Sequence, residues 1–239
     1  MKRLGVNIDH IATLRNARGE KHPDLCHAAK AVVKMGANSV TIHLREDRRH
    51  IKDLDAKKIC NLKNILVNLE VSMNKDIINK ALKIKPNYIC IVPENRKEVT
   101  TEGGLNLTKN KNRLKKIIKK FKKKKIRTSL FINPSLKDVK LAKKIGTRCI
   151  EIHTGKISNK IKSKQSYVKD LKNIKKCAKL GKLLGLEVHA GHGIDYKTAK
   201  ILSRIKEIEE FNIGHFIIGE SIFDGFKHTI KKFKMIVKS

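Results

Sequence analysis

The sequence contains no tryptophan, three tyrosines, four prolines, fourteen glycines and only 22 acidic residues among 239. So little glycine and proline excludes collagen-like and low-complexity chains. The shortage of aromatic rings leaves few platforms on which single-stranded bases could stack. No apolar run approaches the roughly 18 residues needed to span a bilayer, and Met1-Lys2-Arg3 leads directly into a strand-like segment with no secretory apolar region. A cytoplasmic protein without membrane contact is expected. The five cysteines, Cys26, Cys60, Cys90, Cys149 and Cys177, are odd in number and never spaced C-x-x-C. Neither a disulfide framework nor a structural zinc site is supported, and small buried hydrophobes are the expected role.

What is abundant is lysine. The 56 basic residues give a formal net charge of +34, and only 11 of them are arginine. Such a charge makes a polyanion the first partner to test. Arginine, however, is the residue that reads phosphates and bases best, and it is scarce here. The densest run, Lys109 to Lys125, places Leu114, Ile117, Ile118 and Phe121 at helical spacing. It reads as an amphipathic helix with a lysine-coated outer face. Abundant Lys, Ile and Asn together fit a compositional bias filling permissive surface sites, so nucleic-acid binding is not expected. A hydrophobic share of 40% is ample for a core.

Strand-like and helix-like segments alternate eight times. The strands are expected at Arg3–Ile8, Ser39–Leu44, Leu66–Val71, Asn87–Val92, Arg127–Ile132, Cys149–His153, Leu186–Ala190 and Glu210–His215. Helices follow, among them Asp24–Met35 closed by Gly36 and Leu136–Ile145 closed by Gly146. Eight units in one chain of this length predict a single (β/α)8 barrel over residues 1–239, with additional helices. An open doubly wound sheet is the alternative, but no G-x-G-x-x-G follows the first strand.

Chemistry in such a barrel gathers where the strands end. Asp9 and His10 follow the first strand, His43 and Arg45 the second, Glu70 lies on the third, and Glu94 just past the fourth. Asn133 follows the fifth strand, Glu151 and His153 close the sixth, His189 and His192 flank the end of the seventh, and His215 ends the eighth. The loop from His43 to His50 joins two imidazoles to Arg45, Arg48 and Arg49, forks that suit a phosphorylated substrate; that reading is favoured for Arg45 and His50, while Arg48 and Arg49 fit salt bridges with Glu46 and Asp47 equally. Glu70 and Glu151 stand in apolar strands, where a carboxyl needs partners or a raised pKa and becomes a candidate base. Gly191-His192-Gly193 follows the seventh strand and Gly214-His215 ends the eighth, where the phosphate site of this fold usually forms. His43, Glu70, His153, His189 and His192 could together hold a metal, but no metal-binding motif appears and arginines lie close by. No lysine ends a strand as a Schiff-base candidate.

The segments Leu4–Gly19, Thr41–Ile51, Thr100–Gly104, Glu151–Gly155, Ala190–Gly193 and Asn212–His215 together resemble the pyridoxine 5′-phosphate synthase family. The resemblance implies a homo-octameric barrel without metal or organic cofactor. The family condenses 1-deoxy-D-xylulose 5-phosphate with 3-amino-2-oxopropyl phosphate, releasing phosphate and water. The resemblance implies that His43 and Glu70 are proton acceptors, His192 the proton donor and Glu151 the stabiliser of the transition state. It implies that Asn7, Arg18, Gly193, Gly214 and His215 bind the aminooxopropyl phosphate. Asp9, His10, Arg45, His50 and Thr100 correspond to the deoxyxylulose phosphate site, and Pro93–Leu105 is the candidate lid. The chain departs from the family pattern at His189, where Asn is expected, and at Asn133, where Asp is expected. Two other readings remain open: a metal-dependent barrel acting on a sugar phosphate, and a lysine-rich polyanion-binding protein.

Overall fold

The strands alternate with period two. Leu4, Val6, Val40, Ile42, Leu44, Val67, Leu69, Ile150, Ile152, Val188 and Phe211 are all fully buried and apolar. Between them stand Asn7, Thr41, His43, Asn68, Glu70, Glu151, His189 and Asn212. A strand of this kind has two faces of opposite character, and eight of them can satisfy both only by turning one toward helices and the other toward each other.

The computed structural model, which describes residues 1–94 and 103–238, shows that arrangement. In chain order the elements are β1 (Arg3–Asn7), α1 (Asp9–Arg18), α2 (Leu25–Lys34), β2 (Ser39–Leu44), α3 (Asp53–Cys60), β3 (Val67–Val71), α4 (Lys75–Ile84) and β4 (Tyr88–Ile91). There follow α5 (Leu107–Lys123), β5 (Arg127–Ile132), α6 (Leu136–Ile145), β6 (Cys149–His153), α7 (Gly155–Lys162), α8 (Val168–Leu183), β7 (Glu187–Gly191), α9 (Tyr196–Leu202), β8 (Glu210–Ile213), α10 (His215–Asp224) and α11 (Phe226–Lys238). All strands are parallel and ordered β1 to β8, and β1 pairs with β8 to close a (β/α)8 barrel. Additional helices stand after β1, β6 and β8. No helix among the described residues is long and apolar enough to cross a membrane.

Local chemistry starts and stops the helices. Asp24 accepts from the His27 N–H at 2.6 Å, and Asp195 from the Thr198 N–H at 2.7 Å, each satisfying an amide the helix leaves unpaired. Gly146 ends α6 in the left-handed region, at φ 99°. Leu114, Ile117, Ile118 and Phe121 turn inward from α5, as their spacing requires, and the lysines between them face outward. The outer strand face and the inner helix faces form one continuous apolar shell. Its largest members, Phe121, Phe211 and Phe233, are fully buried, and each contributes on the order of 1.5–3 kcal/mol.

The eighth strand is shorter than expected. It ends at Ile213, Gly214 caps the next helix, and His215 is that helix's first residue. The glycine breaks the extended run, so His215 sits at a helix N-terminus and not at a strand end.

The N-terminal end of the barrel is filled by charge. Arg3, Arg127, Glu187 and Glu210 are each the first residue of their strand. Arg3 Nε donates to Glu210 Oε2 at 2.6 Å, and its Nη2 donates to Glu187 Oε1. Arg127 Nη1 donates to Glu187 Oε2 at 2.7 Å, and its guanidinium lies 3.8 Å above the Tyr88 ring. His189 belongs to this network and not to the opposite mouth, which corrects its expected place. It is the middle residue of β7, with Nε2 at 3.1 Å from Glu187 Oε1 and Nδ1 at 3.6 Å from Glu210 Oε1. Burial works against ionising Glu187, but His189, Arg127 and Arg3 outweigh it and hold the carboxyl well below its usual range. Burial likewise disfavours His189 in its charged form, and Cys149, Glu210 and Glu187 outweigh it and raise the imidazole well above its usual value.

Replacing Glu187 by Gln leaves Glu210 as the one carboxylate of the network to balance Arg3, Arg127 and His189, and should cost about 3 kcal/mol, or about 6–12 °C in melting temperature. A depressed carboxyl stabilises the fold fully above its unfolded value of 4.5, and that contribution is lost as the pH falls through the depressed value. A raised imidazole stabilises fully below 6.5, and that contribution is lost as the pH climbs through the raised value. Melting curves of wild type and Glu187→Gln should therefore differ most near pH 6 and converge in strong acid. Equal melting temperatures near pH 6 would refute a stabilising network.

Candidate active site

At the C-terminal ends of the strands the polar interior opens into a mouth. Asp9, the first residue of α1, is buried and organises one side. Its Oδ1 accepts from the His43 backbone N–H at 2.8 Å and its Oδ2 from Asn7 Nδ2 at 2.9 Å. The Asp9 N–H in turn donates to Asn7 Oδ1 at 2.9 Å. His50 Nδ1 lies 3.8 Å from Asp9 Oδ1 and accepts from the Ile51 N–H at 3.0 Å, which leaves the His50 proton on Nε2. His10 stands edge-on to His215, with ring centroids 5.0 Å apart. Burial, then His215, lower the His10 pKa.

His43, on β2, faces Glu70, on β3, in direct register, with Nδ1 3.7 Å from Glu70 Oε2. Burial, followed by the charges of Glu151 and Asp9, pushes Glu70 well above the ordinary carboxyl value. Burial also raises Glu151, to about 7, although His189 and a hydrogen bond from Asn212 pull the other way. That bond, from Asn212 Nδ2 to Glu151 Oε2, is 2.7 Å long. The space for these groups depends on missing side chains. A Cβ at Gly191 would lie 2.0 Å from Glu151 Oε1, and one at Gly5 would lie 2.2 Å from Asn212 Oδ1.

The turn after β7 is strained. His192 has φ 81° and Gly193 φ 76°, and a left-handed non-glycine residue costs on the order of 1 kcal/mol or more. Thr154 holds the turn in place, its hydroxyl donating to the Gly191 carbonyl at 2.8 Å or to that of His192 at 2.7 Å. The His192 ring packs against that of His153, centroids 5.0 Å apart. Burial, then His192, lower His153 to about 4; burial, then Lys162, lower His192. Gly214 begins α10 with no capping side chain, so first-turn amides of that helix are offered to a ligand.

The structure thus brings Asn7, Asp9, His10, His43, Arg45, Glu70, His50, His192, Gly193, Gly214 and His215 to the strand-end side of the barrel, with Glu151 deeper, at the middle of β6 and in register with His189. Arg18 is not with them. It is the last residue of α1, about 13 Å along the helix from Asp9, with its side chain 80% exposed and Glu20 at 3.8 Å. Thr100 lies outside the described residues, as does most of the expected lid. Arg48 is engaged by Asp53, and Arg49 by Asp47 at 2.7 Å, which leaves Arg45 as the buried arginine of that loop. The metal set weighed from sequence is not gathered, because His189 lies in the network at the other end. The one metal-like group among the described residues is Cys149, Glu187 and His189. Arginines already occupy both Glu187 oxygens there.

Sequence reading assigned no function to Asn212 or Thr154. The first was findable as an inward position on an alternating strand. The second carries no local signal, because its partners are a turn 37 residues away.

A family model described as pyridoxal phosphate biosynthesis protein PdxJ matches residues 4–239. A pyridoxine 5′-phosphate synthase of Pelagibacter ubique (strain HTCC1062) is 67% identical over 236 residues, covering 99% of this chain and 99% of that protein. One from Sulfurihydrogenibium sp. (strain YO3AOP1) is 46% identical, covering 98% of this chain and 97% of that one. Among solved structures, the tryptophan synthase alpha-subunit of Pyrococcus furiosus aligns with a TM-score of 0.64 at 12% identity, covering 100% of this chain and 98% of that one, which shows the shared barrel alone. With almost its whole length matched by the family model and by full-length relatives, this chain belongs to the PdxJ family of pyridoxal phosphate biosynthesis proteins.

Proposed function

We propose that the chain is a pyridoxine 5′-phosphate synthase of vitamin B6 biosynthesis, joining 1-deoxy-D-xylulose 5-phosphate to 3-amino-2-oxopropyl phosphate with loss of phosphate and water. Its membership of the family, together with two carboxyls of raised pKa in the polar interior, Glu70 beside His43 and Glu151 bonded by Asn212, carries the reading. An amine must attack a ketone, water and phosphate must leave, and a carbon–carbon bond must close the ring. Each step moves protons, and groups poised near neutrality are suited to moving them.

In this reading Glu70 and His43 take protons, His192 gives one, and Glu151 stabilises charge that develops in the transition state. Gly193, Gly214, His215 and Asn7 receive the aminooxopropyl phosphate, while Asp9, His10, Arg45, His50 and Thr100 receive the sugar phosphate; Arg18, which lies away from the mouth within one chain, is assigned to the first substrate by the resemblance alone. Glycines at Gly193 and Gly214 suit close approach of backbone amides to a phosphate. The reaction is read as needing no metal or organic cofactor. The protein is read as a single cytoplasmic domain that assembles as a homo-octamer. An apolar groove of about 1000 Å³ between α1, α2 and α10, with Phe223 nearby 87% exposed, supports assembly.

Purified protein supplied with both phosphates should form pyridoxine 5′-phosphate, and well-folded protein that forms none would sink the proposal. Glu70→Gln should lower turnover by about 10²-fold or more with little change in KM. A carboxyl raised by folding withdraws stability as the pH climbs toward its folded pKa, so the neutral amide should melt no lower than wild type at pH 8. Normal turnover with a lower melting temperature would mark Glu70 as a structural ion-pair member.

A phosphate dianion bound beside Gly193 should oppose the effect of burial on His192. The NMR titration midpoint of its ring, below 6.5 in the free protein, should rise when inorganic phosphate is added. A midpoint indifferent to phosphate would place the phosphate site elsewhere.

A further inference from the structure

Glu94, three residues beyond β4, has no part in the reaction as set out above. Its side chain is only 1% exposed. Its Oε1 accepts from the Glu46 backbone N–H at 2.8 Å and lies 3.7 Å from Arg45 Nη2. Its Oε2 lies 3.7 Å from His43 Nε2. His43 therefore stands between two carboxyl groups, Glu70 on its Nδ1 side and Glu94 on its Nε2 side.

Three buried side-chain atoms without a hydrogen-bond partner among the described residues meet here: His43 Nε2, Arg45 Nη2 and Glu94 Oε2. An unsatisfied buried polar atom is costly, and His43 Nε2 and Glu94 Oε2 face each other across a gap that a shift of less than about 1 Å would close into a hydrogen bond, with Arg45 Nη2 at the same distance from the other carboxyl oxygen. Catalytic hydrogen bonds are commonly long in the free enzyme and tighten when substrate binds.

The two flanking carboxyls differ in character. Burial opposes ionisation of Glu94, but His43, the Glu46 N–H and Arg45 outweigh it and hold the group below its usual value. Burial, Glu151 and Asp9 drive Glu70 the opposite way. An ionised carboxylate accepts only, so the nitrogen facing it must carry the proton. A neutral imidazole carries one ring proton, so with that proton on Nε2 the nitrogen on the Glu70 side is bare.

We propose that Glu94 is a positioning residue that holds His43 in the tautomer protonated on Nε2, leaving Nδ1 free on the Glu70 side to take a proton from substrate. The inference rests on the reading of His43 as a base. The proton leaves the substrate for Nδ1, the Nε2 proton stays in place, and the resulting imidazolium is stabilised by the Glu94 charge. Other groups facing His43 are Asp9 from α1, which accepts from its backbone N–H, His50, with a ring centroid 6.1 Å away, and Arg45. Arg45 is restrained by Asp47 at 3.3 Å, and Glu151 acts through Glu70.

Two measurements on the full-length protein test this. In ligand-free wild type, 15N NMR should show His43 protonated on Nε2. In Glu94→Gln the preference should loosen, because an amide offers either a carbonyl or an NH2, and Glu94→Asp, which retains the charge, should restore it. In the synthase assay Glu94→Gln should lose about 10–100-fold in kcat with KM changed less than about threefold. The acid limb of its pH profile should move to lower pH, because the anion favouring a charged His43 is gone, and Glu94→Asp should return the limb toward wild type. A His43 protonated on Nδ1 in wild type, or a Glu94→Gln profile whose acid limb does not move, would overturn the proposal even if the rate falls. Wild-type protein that forms no product overturns the synthase reading itself, and the NMR result then judges the contact between Glu94 and His43 separately.

Discussion

A barrel interior lined with ionisable side chains is the constraint on which the rest of this molecule turns. Hydrophobic burial is assigned almost wholly to the shell between strands and helices, where Leu4, Val40, Leu69, Ile150 and Phe211 meet the helix faces. The inside must then hold Arg3, Arg127, Glu187, Glu210, His189, Glu151, Glu70 and His43 without water enough to solvate them. Buried charges survive only with partners, so each inward position is committed to a specific neighbour. Glycine at Gly5 and Gly191 is part of that commitment, because any side chain there would collide with Asn212 or Glu151.

The two ends of the barrel resolve the constraint differently. At the N-terminal end cations and anions interlock and both oxygens of Glu187 are bound, so that of the buried atoms of that network only Arg127 Nε and Glu210 Oε1 lack a hydrogen-bond partner among the described residues. At the mouth the balance is left incomplete: Glu70 and Glu151 influence each other's ionisation, and polar atoms of His43 and Arg45 lack partners among the described residues. Groups whose pairing is finished are rigid and inert, whereas groups with unfinished pairing can still bind a ligand or exchange a proton. His192, held in a left-handed conformation by Thr154, belongs to the second kind.

Much of this was legible in the sequence because it follows from periodicity. Alternation in Val67-Asn68-Leu69-Glu70-Val71 identifies both the strand and its inward carboxyl, and the spacing of Leu114, Ile117, Ile118 and Phe121 identifies the buried face of α5. What periodicity supplies is a face, and faces do not name partners. Position near a strand end points His189 toward the mouth, yet its neighbours Arg3 and Glu210 are fixed by barrel closure. His215 was read as strand because the apolar pattern runs on to Gly214, where a helix begins. Arg48 and Arg49 could serve phosphate or carboxylate equally on local grounds, and only the position of Asp53 and the turn at Asp47 decide between them. Thr100 belongs to a motif read from the sequence, and its position lies outside the described residues.

The bond between Arg3 and Glu210 joins residues 207 positions apart, and the one between Arg3 and Glu187 joins residues 184 apart. The first strand made is therefore the last to be completed, since β1 closes on β8. At about 5–20 residues per second, a ribosome needs about 10–40 s to deliver Glu210 after Arg3. Throughout that interval β1 has a vacant edge, and its arginine lacks Glu210, with Glu187 made only 23 residues earlier. Closure of the barrel is in this sense a timed event, and the partly buried ion pair between Arg3 and Glu210 forms only when the last strand arrives.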